Sequence, residues 1–358
     1  MELFLPHPPA HPLYLDHAAT TPMTPAAIAA VGDGMARWAN PSSPHAAGRA
    51  ARAALEDARA AIAAAYGWGR EVLLTSGASE SLAIALGRST AARRIVSAVE
   101  HDAVLRAAGT ARMLAVDALG RVEPDALGDV ADALVAVQWC NSETGVIQPI
   151  ADIAAAVRAG GGRLLVDAAQ MPASRELAEH ADFVAVSAHK RGGPPGTGAL
   201  LVRELGDLHP SGGQERGYRP GTENLPGVLG HAAALAELEP DHAARRARLD
   251  DAIRRSGGVV VAEAAMRHPA IGAYRMPGIA SAAQLIRFDL AGIAVSAGSA
   301  CASGSLKPSH VLRAMGWSEE TTREVVRVSF GRTTTDADVD RFIAAWRAVA
   351  RATGRFAA

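Results

Sequence analysis

The octapeptide from Phe183 to Lys190, FVAVSAHK, sets a terminal lysine behind an apolar run and just ahead of the Gly/Pro cluster RGGPPGTG. Four apolar residues, two of them valine, predict a buried strand. A lysine delivered to the end of such a strand loses hydration. Its pKa falls, and the neutral amine becomes a nucleophile for carbonyl carbon. Taken alone, a lysine in this position more often snorkels out to solvent. The neighbouring stretches shift that balance.

In LLTSGASES, residues 73–81, a strand enters a Ser-Gly turn and a helix begins, so free backbone amides and the helix dipole face outward and suit a phosphate. In LLVDAAQ, Asp167 ends an apolar strand 23 residues before Lys190, one helix-and-strand unit away. A carboxylate there requires a cationic partner. His101, in VEHDAVL, ends another strand. Each signal has an ordinary structural explanation: a helix cap, a buried ion pair, a solvent-facing imidazole. Three sheet strands presenting Asp, His and Lys at their carboxyl ends are harder to explain that way, because ligands of open α/β sheets bind there.

Together these groups describe a pyridoxal phosphate site. Lys190 would hold the aldehyde as a Schiff base, Asp167 would pair the protonated pyridine nitrogen, and the 77–80 turn would hold the phosphate, with Ser187 and His189 able to donate to it. No CxxC spacing occurs, and no metal site is expected. The chain has two cysteines. Cys140 follows the apolar run ALVAVQW, as a buried structural thiol would. Cys301, in SAGSACASGSLKPSH, lies among small residues without apolar periodicity, which predicts a thiol on a mobile, exposed loop where a thiolate can act.

The elements that must position these groups alternate. EVLLTS, RIVSAV, RMLAV, ALVAVQW, RLLVDAAQ, DFVAVS and TGALLVR read as strands separated by helical segments, a pattern of a parallel sheet covered on both faces. Helices are expected from Pro25 to about Trp38, weakened by Gly32 and Gly34, and from the polar loop NPSSPHAAGR to about Tyr66. After a charged helical region at 232–255 comes a second α+β portion, with VVVAEA, a helix at SAAQLIRFDL, the strand VVRVSFG and a helix from about Asp336. The 358 residues suit two packed domains. Lys+Arg at 36 against Asp+Glu at 37 gives no electrostatic case for nucleic acid or an anionic membrane. The first residues, MELFLPHPPAHP, lack the basic start and longer apolar core of a secretory signal. No apolar run approaches the ~20 residues that cross a bilayer. With so few cysteines, a cytoplasmic location is expected.

The motifs YLDHAATTP, NPSS, TSGASES, EHDAVL, NSETGVIQP, VDAAQ, SAHK, GGQERGYRPGT, AGSACASGSLKPSHVLRAMG and VRVSFGR run almost end to end, and together resemble the cysteine desulfurases of the class V aminotransferase group. The resemblance implies an α/β fold, the type I fold of pyridoxal-phosphate-dependent transferases. Residues 15–245 would form a large domain with a mainly parallel central sheet; 1–14 and 246–358 would form a smaller α+β domain carrying the cysteine loop. It implies that L-cysteine becomes L-alanine and that Cys301 carries the sulfur as a persulfide to an acceptor, an iron–sulfur scaffold or a tRNA-thiolation protein. Lys190 is then the Schiff-base lysine, and His101 stacks on the ring and handles the thiol proton. Ala78, Ser79, Ser187 and His189 hold the phosphate, with Thr222 reaching it from the second subunit of a homodimer. Asp167 contacts the pyridine nitrogen, Gln170, Asn141 and Ser142 the side of the phenolic oxygen, and Arg327 with Asn40 the substrate carboxylate. The long cysteine loop resembles the subgroup that serves several acceptors.

This sequence departs from the family pattern in places. Ser142 stands where a second Asn is common. The Asp-Asn usual after TSGASES is missing, which predicts a shortened helix start, and the chain stops at GRFAA without the longer tail that docks a scaffold. Two rivals remain open: a selenocysteine lyase or other class V lyase or transaminase, and a catalytically weak regulatory partner of the same fold.

Overall fold

A computed structural model describes residues 12–297 and 308–351. Strand β1 (Leu13–Tyr14) precedes helices α1 (Pro25–Ala36) and α2 (Ala46–Ala65). There follow β2 (Glu71–Thr75), α3 (Ala78–Arg88), β3 (Arg93–Ser97), α4 (Asp102–Ala108), β4 (Arg112–Leu114), β5 (Ala133–Gln138), α5 (Ile150–Ala159), β6 (Arg163–Asp167), α6 (Leu177–His180), β7 (Phe183–Ser187) and β8 (Gly198–Val202). Helices α7 (Leu225–Leu235) and α8 (Ala243–Arg255) lead to β9 (Val259–Val260), β10 (Ile271–Arg275), α9 (Ser281–Leu290) and β11 (Ile293–Ala294). Then come α10 (His310–Ala314), α11 (Glu319–Thr322), β12 (Val325–Ser329) and α12 (Asp336–Arg351).

Seven strands form the central sheet in the order β2-β8-β7-β6-β5-β3-β4. All neighbours are parallel except β8, which runs antiparallel to both β2 and β7. The reversal has a plain cause: only ten residues, 188–197, join β7 to β8, and a parallel pair needs a crossover of about a dozen or more. Between β4 and β5 the expected helix is a single 3₁₀ turn at Pro124–Ala126. The apolar runs are apolar on both parities because both faces are covered. Val137, Val166 and Val184 meet Leu55, Ile62, Ile153 and Val228 of α2, α5 and α7. Leu134, Leu165, Phe183 and Ala185 meet Leu82 and Val104 of α3 and α4. At roughly 1.5–3 kcal/mol for each large side chain buried, one such strand offsets the cost of desolvating a polar group at its tip.

Helix α1 starts where Thr24 Oγ1 accepts from Ala27 N–H at 3.2 Å, with Pro25 at its first position. Gly34, which weakens α1 in isolation, lets it approach α7: a Cβ there would sit 2.8 Å from Pro226 Cα. The expected shortening of α3 does not occur; it starts at Ala78, directly after the turn, and runs 11 residues. A second core gathers Leu13, Leu15, Leu249, Ile253, Tyr274, Phe342 and Trp346 around the antiparallel sheet β12-β10-β9. The first described strand is thus packed with the C-terminal third of the chain. No helix among the described residues is long and apolar enough to cross a membrane.

Candidate active site

Because β2, β3, β5, β6 and β7 all run the same way, their carboxyl ends share one edge of the sheet. Asp167 ends β6, Ser187 ends β7, and a single 3₁₀ turn, Ala188–Lys190, carries His189 and Lys190 over that edge. His101 caps α4 just beyond β3, its Nδ1 accepting from Ala103 N–H at 3.1 Å. A cleft of about 380 Å³ opens there, lined by Lys190, Asp167, His101, Gln170, Ala78, Ser79, Ser142, Ser187 and His189 among others.

Lys190 is held from behind. Its Nζ donates to Ala18 O at 2.6 Å and to Ala19 O at 2.9 Å. Burial, then the positive charge of Arg327, push its pKa down to about 8, against the opposing pull of Asp167 and Asp16. Asp167 accepts from Ala169 N–H at 3.0 Å. Burial raises its pKa, while that backbone bond, His101 and Lys190 draw it back. Burial lowers the pKa of His101 and takes that of His189 to about 4, and the His189 ring pairs with Thr20 Oγ1 at 3.0 Å. Both imidazoles are therefore neutral at pH 7.

The geometry suits pyridoxal phosphate. Gly77 adopts φ +149°, a conformation that side chains resist, and a Cβ there would meet Ser187 Oγ at 3.7 Å, inside the cradle. The first backbone bond of α3 runs from Ser81 N–H to Gly77 O, so the amides of the helix's opening residues remain for an anion. Asp167, which lines the same cleft, can balance a protonated ring nitrogen. Among the described residues no group of three or more His, Cys, Asp or Glu is arranged to hold a metal.

Other expected residues lie off the cleft. Asn141 is buried, but its Oδ1 accepts from the Glu143 and Thr144 amides and its Nδ2 donates to Val99 O; the side chain holds its own turn. Arg327 borders the site: Nη1 donates to Ser142 O at 2.9 Å and Nη2 to Asp16 Oδ1 at 2.7 Å. Asn40 and Thr222 are exposed, and neither lines the cleft of this chain. Cys301 lies outside the described residues. Cys140 is buried against Gly145 O at 3.5 Å, and burial pushes its thiol up to about 12. Sequence reasoning missed the carbonyls of Ala18 and Ala19, although YLDHAATT was visible, and the buried carboxyls of Glu100 and Glu143.

Residues 13–342 match the family model for aminotransferase class-V. The cysteine desulfurase of Gluconacetobacter diazotrophicus is 38% identical over 367 residues, spanning 92% of this chain and 91% of the relative. That of Bradyrhizobium diazoefficiens is also 38% identical, over 96% of this chain and 98% of its own. Among solved structures, the NifS-like protein from Rickettsia africae superposes with a TM-score of 0.82 at 28% identity, covering 95% of this chain and 99% of the other.

Proposed function

The chain belongs to the class-V aminotransferase family, and on that premise we propose that it is a pyridoxal-phosphate-dependent cysteine desulfurase. Its substrate is L-cysteine, its product L-alanine, and Cys301 passes the sulfur to an acceptor protein. The observation that carries this reading is the convergence of Lys190, Asp167, His101 and the Gly77 turn on one cleft.

Lys190 would hold the cofactor through its aldehyde, Asp167 and Gln170 would hold its ring, and Ala78, Ser79, Ser187 and His189 its phosphate. Pyridoxal phosphate, when bound, supplies an electron sink for negative charge at the substrate Cα. Arg327, pinned by Ser142 O and Asp16, presents its guanidinium to the substrate carboxylate. Nζ of Lys190, with a pKa near 8, takes the Cα proton. Because Nδ1 of His101 accepts from Ala103 N–H, the neutral ring carries its proton on Nε2, from which it can donate to the substrate's sulfur. The Cys301 thiolate attacks the substrate sulfur: an S–S bond forms, the C–S bond breaks, and the carbon keeps the electron pair and gains a proton to leave as alanine.

We further read the protein as a cytoplasmic homodimer in which Thr222 serves the partner's phosphate site. Support comes from the firm hold on the exposed 212–222 loop, through Glu215 to Arg59 at 2.6 Å and Arg219 to Glu80 at 3.0 Å. The acceptor we propose is an iron–sulfur scaffold or a tRNA-thiolation protein. Purified protein given pyridoxal phosphate and L-cysteine should form alanine and reducible sulfur in equal amounts; cofactor binding without alanine would refute the assignment.

A further inference from the structure

One residue before His101 lies a carboxyl that this chemistry leaves unused. Glu100 has no exposed surface (0%). Its Oε1 accepts from Gln138 N–H at 2.8 Å, while Oε2 has no hydrogen-bond partner among the described residues. Gln138 is the last residue of β5 and stands opposite Asp167 in the β5–β6 register. Glu100 thus grips the residue paired with the one that faces the cofactor's ring nitrogen. The backbone beside it is equally engaged: Glu100 O accepts from His310 Nε2 at 2.8 Å, and Val99 O from Asn141 Nδ2 at 3.1 Å.

An ionised carboxylate with one oxygen buried and unpartnered would bear a heavy desolvation cost. A second carboxyl nearby adds repulsion, and two such groups do not both ionise cheaply. Asp167 lines the cleft with Lys190 and His101 to compensate it; Glu100 has no ion pair among the described residues. Burial drives Glu100 well above the usual carboxylate range; the Gln138 amide draws it partly back, Asp167 pushes it up again, and the Ser97 hydroxyl opposes least.

We propose that Glu100 is a positioning residue acting through Asp167: as a neutral acid it leaves the negative charge on Asp167 at the pyridine end, and its Oε1 fixes the tip of β5. This rests on the pyridoxal phosphate reading above. It adds a group that touches neither substrate nor cofactor yet decides where the charge beneath the ring resides.

Infrared difference spectra of wild type against Glu100→Gln, cofactor-free and loaded, test the protonation directly. At neutral pH the wild type should show the carbonyl stretch of a protonated carboxyl, and the variant should lack it. Glu100→Ala, which leaves the Gln138 amide without its acceptor, should weaken pyridoxal phosphate binding roughly tenfold. Glu100→Gln should restore the affinity and keep the pH midpoint of the visible absorbance within roughly half a unit of wild type. Three results would each overturn the proposal: no protonated-carboxyl band, a midpoint displaced by about one unit or more in the Gln variant, or an Ala variant that binds as tightly as wild type. Should Glu100→Ala fail to fold, the band and the Gln midpoint decide. A wild type that takes up no cofactor sinks the functional reading and the positioning role with it, whereas a missing band sinks only the latter.

Discussion

Lys190 Nζ lies 2.6 Å from the carbonyl oxygen of Ala18, a residue 172 positions earlier in the chain. The contact ties the segment between β1 and α1 to the end of β7, and it gives a buried amine a polar partner that cannot neutralise it. With burial and Arg327 both opposing charge, the pKa falls to about 8 from the usual 10.5. Below that value the amine is an ammonium without a lone pair; above it the nucleophile is free. Cofactor-free protein mixed with pyridoxal phosphate should therefore capture it faster as pH rises through about 8, and then level off. Stopped-flow absorbance gives the profile. A rate still climbing toward the ordinary lysine range would mean that the cleft leaves Lys190 unshifted.

Lys190→Ala should remove the covalent hold on the cofactor while leaving the phosphate cradle at Gly77 intact. The visible absorbance of the loaded protein should vanish or move to that of free pyridoxal phosphate. An unchanged spectrum would place the attachment on a different amine.

Lys190, Asp167 and His101 were legible in the sequence because each is a polar residue at the end of an apolar run, where period and burial leave little choice. The parallel order of the sheet followed from the same alternation. What escaped depended on distant partners. Nothing local in YLDHAATT says that the carbonyls of Ala18 and Ala19 turn toward Lys190. Glu100, next to a histidine and an aspartate, reads as a polar turn, yet it is sealed under β5. Asn141 matched a cofactor contact by motif, but the amides of Glu143 and Thr144 claim its side chain. The reversal of β8 lay in the shortness of the 188–197 connection, whose Gly/Pro composition marks a turn without giving the strand's direction.

Glu215, buried and ionically tied to Arg59, also accepts from Leu74 N–H at 2.8 Å. Glu215→Ala would leave Arg59 only Glu56 and Val72 O and strand a β2 amide, so a loss of about 3 kcal/mol is expected in urea denaturation. The 212–222 loop should loosen with it, lowering the fraction of dimer in sedimentation. A stability change within about 0.5 kcal/mol would show that water replaces the pair without penalty.

His231 is fully buried in α7, and neither ring nitrogen has a partner among the described residues. Burial lowers its pKa from 6.5 to about 4, so the folded protein keeps it neutral while the unfolded chain binds the proton first. Its contribution is intact above pH 6.5 and is lost as pH falls toward about 4, at up to about 1.4 kcal/mol per pH unit. His268, lowered by burial to about 3, acts in the same sense. His231→Leu should flatten the acid limb of the stability profile measured by denaturant titration. An unaltered slope would mean that this imidazole takes up its proton without unfolding.

The two cysteines separate the desulfurase account from its rivals. Cys140 borders the cleft but is only 2% exposed, and burial raises its thiol to about 12, so little of it is a thiolate at neutral pH. In the proposed function the persulfide is carried by Cys301. Wild type, Cys301→Ser and Cys140→Ser, each loaded with pyridoxal phosphate, should be given L-cysteine and followed by alanine release together with peptide mass spectrometry. The account predicts alanine from wild type and Cys140→Ser with added sulfur on the Cys301 peptide. Cys301→Ser should keep its cofactor absorbance but release only traces of alanine. Alanine from Cys301→Ser at the wild-type rate, or added sulfur on Cys140, would contradict it.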